Sequence, residues 1–67
     1  MNSALLKSKR VAKGLLQDDV AKCLNITVAS YSNKENSINE FKRSEIKKLI
    51  DLLVLSETDV TEIFFDE

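Results

Sequence analysis

Residues 17–36 read QDDVAKCLNITVASYSNKEN, and this stretch decides the fold. Its apolar side chains fall at Val20, Leu24, Ile26 and Tyr31, with the small Ala21 next to Val20. Val20 and Leu24 are about one helical turn apart and share a face. The pattern breaks at Asn25, Ile26 and Thr27, and a second helical segment follows. Asn25 is the side chain that tolerates a left-handed backbone best after glycine, and Thr27 is a good N-cap. The stretch therefore predicts two short helices, one from residue 16 or 17 to 24 and one from 28 to 35, joined by a tight turn. Asp18 and Asp19 sit in the first turn of the former, where they suit the positive end of the helix dipole.

The flanks continue in the same style. Upstream, a helix is expected from about residue 3 to 13, with Ser3 as its N-cap and Gly14 in the left-handed position that closes it. Downstream, Asn36, Ser37 and Asn39 around Ile38 form a loop of turn residues. A fourth helix is expected from about 43 to 53, with Ile46, Leu49, Ile50 and Leu53 at 3–4 spacing. A fifth starts after Ser56, where Ser56 and Asp59 imitate a capping box. It carries Val60, Ile63 and Phe64 on one stripe. With Leu6, Leu15, Val20, Leu24 and Ile26, these side chains predict one shared core. The expected fold is all-α, a compact five-helix domain over residues 1–67.

Composition agrees. The chain has 67 residues, no proline and one glycine, which favours helix over sheet. A chain of this length buries only about 60% of its unfolded surface, so its core is marginal. Its apolar runs are far shorter than the roughly 20 residues that span a bilayer, and no signal peptide is evident. The single Cys23 has no internal partner, and a cytoplasmic protein without membrane contact is expected. Cys23, beside Leu24, is expected to act as a small packing residue. The formal net charge of −1 hides an asymmetry. Residues 7–43 hold eight basic and four acidic side chains, whereas residues 44–67 hold two basic and seven acidic. Phosphate contacts respond to such local charge rather than to the total.

Enzymatic chemistry is not expected. There is no histidine, and the lone cysteine has no base beside it. Asp18 and Asp19 are adjacent, so on a helix they point about 100° apart and do not converge. No side-chain spacing suits a metal, and no cofactor or small-molecule ligand is expected.

Two short helices joined by a tight turn, with a small residue where they cross, describe a helix-turn-helix. In that unit the second helix is presented to the major groove of duplex DNA. The order of residues here resembles the Cro/C1-type helix-turn-helix family, the lambdoid phage repressor and Cro domains and their bacterial relatives. The resemblance rests on Leu6-Lys7-Ser8-Lys9-Arg10, Gly14-Leu15-x-Gln17, Val20-Ala21-x-x-Leu24-x-Ile26-Thr27, Ser30, Glu35-Asn36 and Lys48-Leu49-x-Asp51-x-Leu53, and covers about residues 6–64. It implies a five-helix DNA-binding domain that dimerises on a pseudo-palindromic operator. By position, Gln17 would meet a phosphate or a base at the start of the second helix. Thr27 would cap the third helix and bond phosphate, and Asn36 would contact phosphate after it. Val28, Ala29, Ser32 and Asn33 would face base edges. Arg10 and Glu35 would form an ion pair that orients the third helix on the first. The chain departs from the family pattern at Leu16, Asn25, Lys34, Ser37 and Lys42, which stand where a threonine cap, a turn glycine, an apolar residue, a second glycine and a helix cap are usual.

The chemistry of these side chains supports the same assignments. Asn33 can pair bidentately with adenine N6 and N7. Val28 and Ala29 are either half-buried helix residues or exposed ones, and exposed they can touch only thymine methyl groups. Lys7, Lys9, Lys34, Lys42 and Arg43 are the candidate phosphate binders. Phe64 and Phe65 are adjacent, so one helical face cannot bury both. Phe64 fits the stripe with Val60, which leaves Phe65 either as a contact for a second copy or covered by the chain end folding back. The expected function is sequence-specific binding of double-stranded DNA by a small phage-type or mobile-element repressor, acting as a homodimer. The competing expectation keeps the scaffold but changes the partner to a protein, as in an antirepressor or antitoxin component.

Overall fold

In the computed structural model, which describes residues 1–65, a side chain-to-backbone hydrogen bond marks the start of each helix. Helix α1 is Ser3–Ala12, and Asn2 Oδ1 accepts the Leu5 N–H at 3.1 Å. The cap is thus Asn2 and not Ser3. Ser3 is already helical, and its Oγ lies 2.6 Å from Ser37 Oγ instead. Helix α2 is Gln17–Leu24. Leu16 has no side-chain acceptor, but Asp19 Oδ2 takes the Leu16 N–H at 2.8 Å, which is half of a capping box. Helix α3 is Val28–Glu35, capped by Thr27 Oγ1 on the Ser30 N–H at 3.1 Å. Helix α4 is Arg43–Leu53, and Glu45 Oε1 accepts the Lys42 N–H at 2.7 Å. Helix α5 is Glu57–Phe64, opened by a reciprocal box between Ser56 and Asp59 at 3.1 Å in each direction.

Four left-handed residues turn the chain between helices: Gly14 (φ 72°), Asn25 (φ 59°), Ser37 (φ 64°) and Val54 (φ 53°). Gly14 has open space where a Cβ would go, so its backbone angle is what calls for glycine. Asn25 ends α2 by donating to the Lys22 carbonyl at 3.1 Å, and Ile26 donates to the Ala21 carbonyl at 3.0 Å. That geometry drops half-buried Ile26 back against the core and aims the chain into α3.

The core is Leu6, Val20, Ala21, Leu24, Tyr31, Leu49, Leu53, Leu55 and Ile63. Leu15, Ile26, Phe41, Ile50, Val60 and Phe64 pack around it, half-buried. Every helix contributes at least one of the buried residues, so the five elements share one interior. Helix α2 packs mainly on α3 and α4, and α1 on α5 and α3. Ile46 is only half-buried and lines an open groove together with Phe41 and Phe64. Cys23 is exposed, which corrects its expected packing role. It is one residue from Leu24, and adjacent helical side chains point about 100° apart. Among the described residues, no helix is long and apolar enough to cross a membrane.

Candidate functional site

The inner face of α3 is held by a buried carboxylate. Glu35 is 1% exposed and takes hydrogen bonds from three helices. Arg10 of α1 donates through Nε to Oε2 at 2.8 Å and through Nη2 to Oε1 at 3.3 Å. Gln17 of α2 donates through Nε2 to Oε1 at 3.2 Å, and Tyr31 of α3 donates its hydroxyl to Oε2 at 2.6 Å. Arg10 Nη1 also donates to the Leu15 carbonyl at 2.7 Å, which ties down the α1–α2 turn. Burial alone would raise the Glu35 carboxyl, but the bonds from Arg10, Tyr31 and Gln17 outweigh it and hold it below the usual carboxylate range. The Tyr31 phenol moves far upward, through burial and through the bond to the Glu35 carboxylate. The roll and tilt of α3 are therefore specified by polar geometry as well as by packing.

The outer face of α3 is open. Thr27, Val28, Ala29, Asn33 and Asn36 are exposed, and Ser32 is half-buried. Val28 is 45% exposed in the first turn of the helix. The Asn33 side-chain amide has no hydrogen-bond partner among the described residues, while the Asn33 backbone carbonyl accepts from the Ile38 and Asn39 N–H groups at 2.8 and 3.3 Å. Asn36 Nδ2 donates weakly to Ser32 Oγ at 3.4 Å. Gln17 is half-buried, and one of its two amide hydrogens goes to Glu35, which leaves the other free. This face is uncharged and rich in groups that can donate, accept or touch a methyl group.

The five cations singled out from the sequence separate into three kinds. Lys7, Lys42 and Arg43 are exposed and have no ion-pair partner among the described residues. Lys9 is shared with Asp59 of α5 at 3.2 Å. Lys34 is corrected: it is 8% exposed, and its Nζ donates to both carboxylate oxygens of Glu45 at 2.7 and 2.8 Å. Its position three residues after buried Tyr31 turns it inward, so its ammonium is committed inside the protein. Burial alone would raise the Glu45 carboxyl, but Lys34 and the Lys42 N–H lower it overall.

Phe65 is 68% exposed and Phe64 half-buried. Phe64 packs edge-on against Phe41 with ring centroids 6.1 Å apart, and Phe41 meets Tyr31 at 5.9 Å. Beside them lies an open groove of about 330 Å³ lined by Met1, Phe41, Ile46, Phe64 and Phe65, among others. Among the described residues no group of three or more His, Cys, Asp or Glu could hold a metal ion.

Three contacts escaped the sequence. The Tyr31–Glu35 bond is the one with a local signal, a four-residue spacing on one helix. Gln17–Glu35 and Lys34–Glu45 join side chains 18 and 11 residues apart, and no local pattern marks them. The family model described as "Protein of unknown function (DUF739)" matches residues 3–67. No curated protein and no solved structure matches the chain.

Proposed function

We propose that this chain, which belongs to the family described as protein of unknown function DUF739, binds double-stranded DNA by sequence and acts as a small transcriptional regulator of the Cro/C1 type. The observation that carries the reading is the two-sidedness of α3. Its inner face is locked by Tyr31, Lys34 and Glu35, while its outer face leaves Thr27, Val28, Ala29, Asn33 and Asn36 in solvent. A helix held this firmly and exposed this evenly suits insertion into a major groove about 12 Å wide. Asn33 is assigned to base readout, and Val28 and Ala29 to thymine methyl groups. Lys7, Lys42 and Arg43, with the Gln17 amide and the Thr27 hydroxyl, are assigned to phosphates. A homodimer, with Phe65 in its contact, would set two such helices about 34 Å apart on a pseudo-palindromic site.

A second reading keeps the scaffold and gives it a protein partner, favoured by the apolar Val28 and the open aromatic groove at Phe65. Selection from a random duplex pool, followed by fluorescence anisotropy on the selected fragment across about 50–200 mM salt, separates the two. The regulator yields a palindromic consensus whose affinity falls steeply with salt. Failure to enrich any sequence, with only weak and uniform DNA binding, overturns it in favour of the protein partner.

A further inference from the structure

Lys34 and Glu45 form a second buried ion pair, separate from the Glu35 network. Nζ donates to both carboxylate oxygens, at 2.7 and 2.8 Å, and the two residues are 8% and 5% exposed. Oε1 of the same carboxylate accepts the Lys42 N–H at 2.7 Å. The pair thus connects the last turn of α3 to the start of α4, where the free cations Lys42, the residue before the helix, and Arg43, its first residue, stand. The loop between is tied to α3 as well: Ile38 and Asn39 both donate to the Asn33 carbonyl, at 2.8 and 3.3 Å, across left-handed Ser37.

Stability alone does not call for charge at this contact. The desolvation of two buried charges offsets much of their attraction, and aliphatic side chains of similar volume hold such a contact equally well. An ion pair adds something that an apolar contact lacks. The ammonium must sit against both oxygens, so only one relative placement of the two helix ends satisfies it. Helix α3 packs mainly on α2 and α1, and α4 on α2. The pair is a direct polar tie between two helices that each pack more extensively on α2.

We propose that Lys34 and Glu45 are positioning residues that set Lys42 and Arg43 relative to the outer face of α3, so that phosphate contacts and base readout engage one DNA surface together. This rests on the DNA-binding function proposed above. Without the tie, α4 keeps its core contacts through Leu49 and Leu53, but its cationic start no longer has one place relative to α3.

The test combines Lys34→Leu with Glu45→Gln, whose amide oxygen can still accept the Lys42 N–H. Anisotropy is measured on the fragment selected by the wild-type chain, at a temperature where circular dichroism shows both proteins folded. Specific affinity is expected to fall about tenfold, and the salt slope to fall by about 1–2, since each phosphate contact contributes about 0.9. In a Lys42→Ala/Arg43→Ala background the same pair of changes is expected to alter neither quantity further. Unchanged affinity and slope with only a shifted melting temperature overturns the proposal, as does an undiminished further loss in that background. Should the double variant not fold, Glu45→Asp carries the same test with both charges retained and the carboxylate withdrawn by one methylene. A wild-type chain that selects no DNA removes the function and this role together. Wild-type binding with an unmoved slope removes this role alone.

Discussion

Arg10 on α1 and Glu35 on α3 meet at 2.8 Å inside the protein, 25 residues apart in sequence, with Tyr31 and Gln17 completing the same carboxylate. Breaking one side of such a pair leaves an uncompensated buried charge. Arg10→Leu is therefore expected to lose about 3–5 kcal/mol, a large share of the stability of so small a domain. Arg10→Leu combined with Glu35→Leu removes both charges and is expected to lie closer to wild type than the single change. Urea melts of the two variants measure this. Equal losses in both would mean that packing at Arg10, and not charge, holds α3 in place.

The same network predicts how stability varies with pH. Glu35 and Glu45 titrate below their ordinary value of 4.5 in the folded protein. Below that value the unfolded chain takes up protons that the folded one resists, so their contribution is present above it and is lost as pH falls through the folded values. Tyr31 behaves in the opposite sense: its raised phenol stays protonated in the fold after the unfolded chain ionises, so stability falls again above its ordinary value of 10.0. Melting temperature is expected to be level between these limits and to drop on both sides. Glu35→Gln lowers the plateau and makes the acid limb shallower. An acid limb as steep as wild type in that variant would place the titrating group elsewhere.

Val54 closes α4 with φ 53° and ψ 54° while 71% exposed. A left-handed backbone costs an L-residue roughly 1–2 kcal/mol, and a β-branched side chain fits it poorly. So exposed a side chain contributes little packing. Val54→Gly is expected to stabilise the fold by about 1 kcal/mol, a rise of some 4–8 °C in melting temperature for a domain of this size. A fall in melting temperature would show that the Val54 side chain has a packing partner.

The parts of the fold that could be read from the sequence are those with local causes. The bounds of α3 and α4 follow from Thr27 and from the 3–4 spacing of Leu49 and Leu53, and the structure places them at Val28–Glu35 and Arg43–Leu53. Gly14 and Asn25 mark their own turns. Val54 does not, because Leu52-Leu53-Val54-Leu55 is an unbroken apolar run without the glycine or asparagine that usually marks a left-handed stop. For the same reason Leu55 entered the core unannounced. Asn2 and Ser3 are both good caps, and only the position of the Leu5 N–H chooses between them. Lys34 shows how a local signal can be outweighed. Its spacing from Tyr31 places it inward, but a lysine is usually solvated, and the partner that makes burial tolerable lies on another helix.

Asn33 and Lys42 offer the sharpest contrast on the proposed DNA surface. The Asn33 amide is exposed and unpaired among the described residues, and the Lys42 ammonium is likewise free, but the two are assigned different chemistry. An amide reading adenine N6 and N7 loses bidentate discrimination when truncated. Asn33→Ala is therefore expected to weaken binding to the selected sequence by about 1–3 kcal/mol, while binding to unrelated duplexes and the salt slope stay as they were. A phosphate contact carries no sequence information. Lys42→Ala is expected to weaken binding to all duplexes alike and to reduce the salt slope by about 1. Anisotropy on the selected and a scrambled duplex at several salt concentrations measures both effects. Uniform loss for Asn33→Ala would move base readout to Val28, Ala29 or Gln17, and an unchanged slope for Lys42→Ala would take the start of α4 off the DNA.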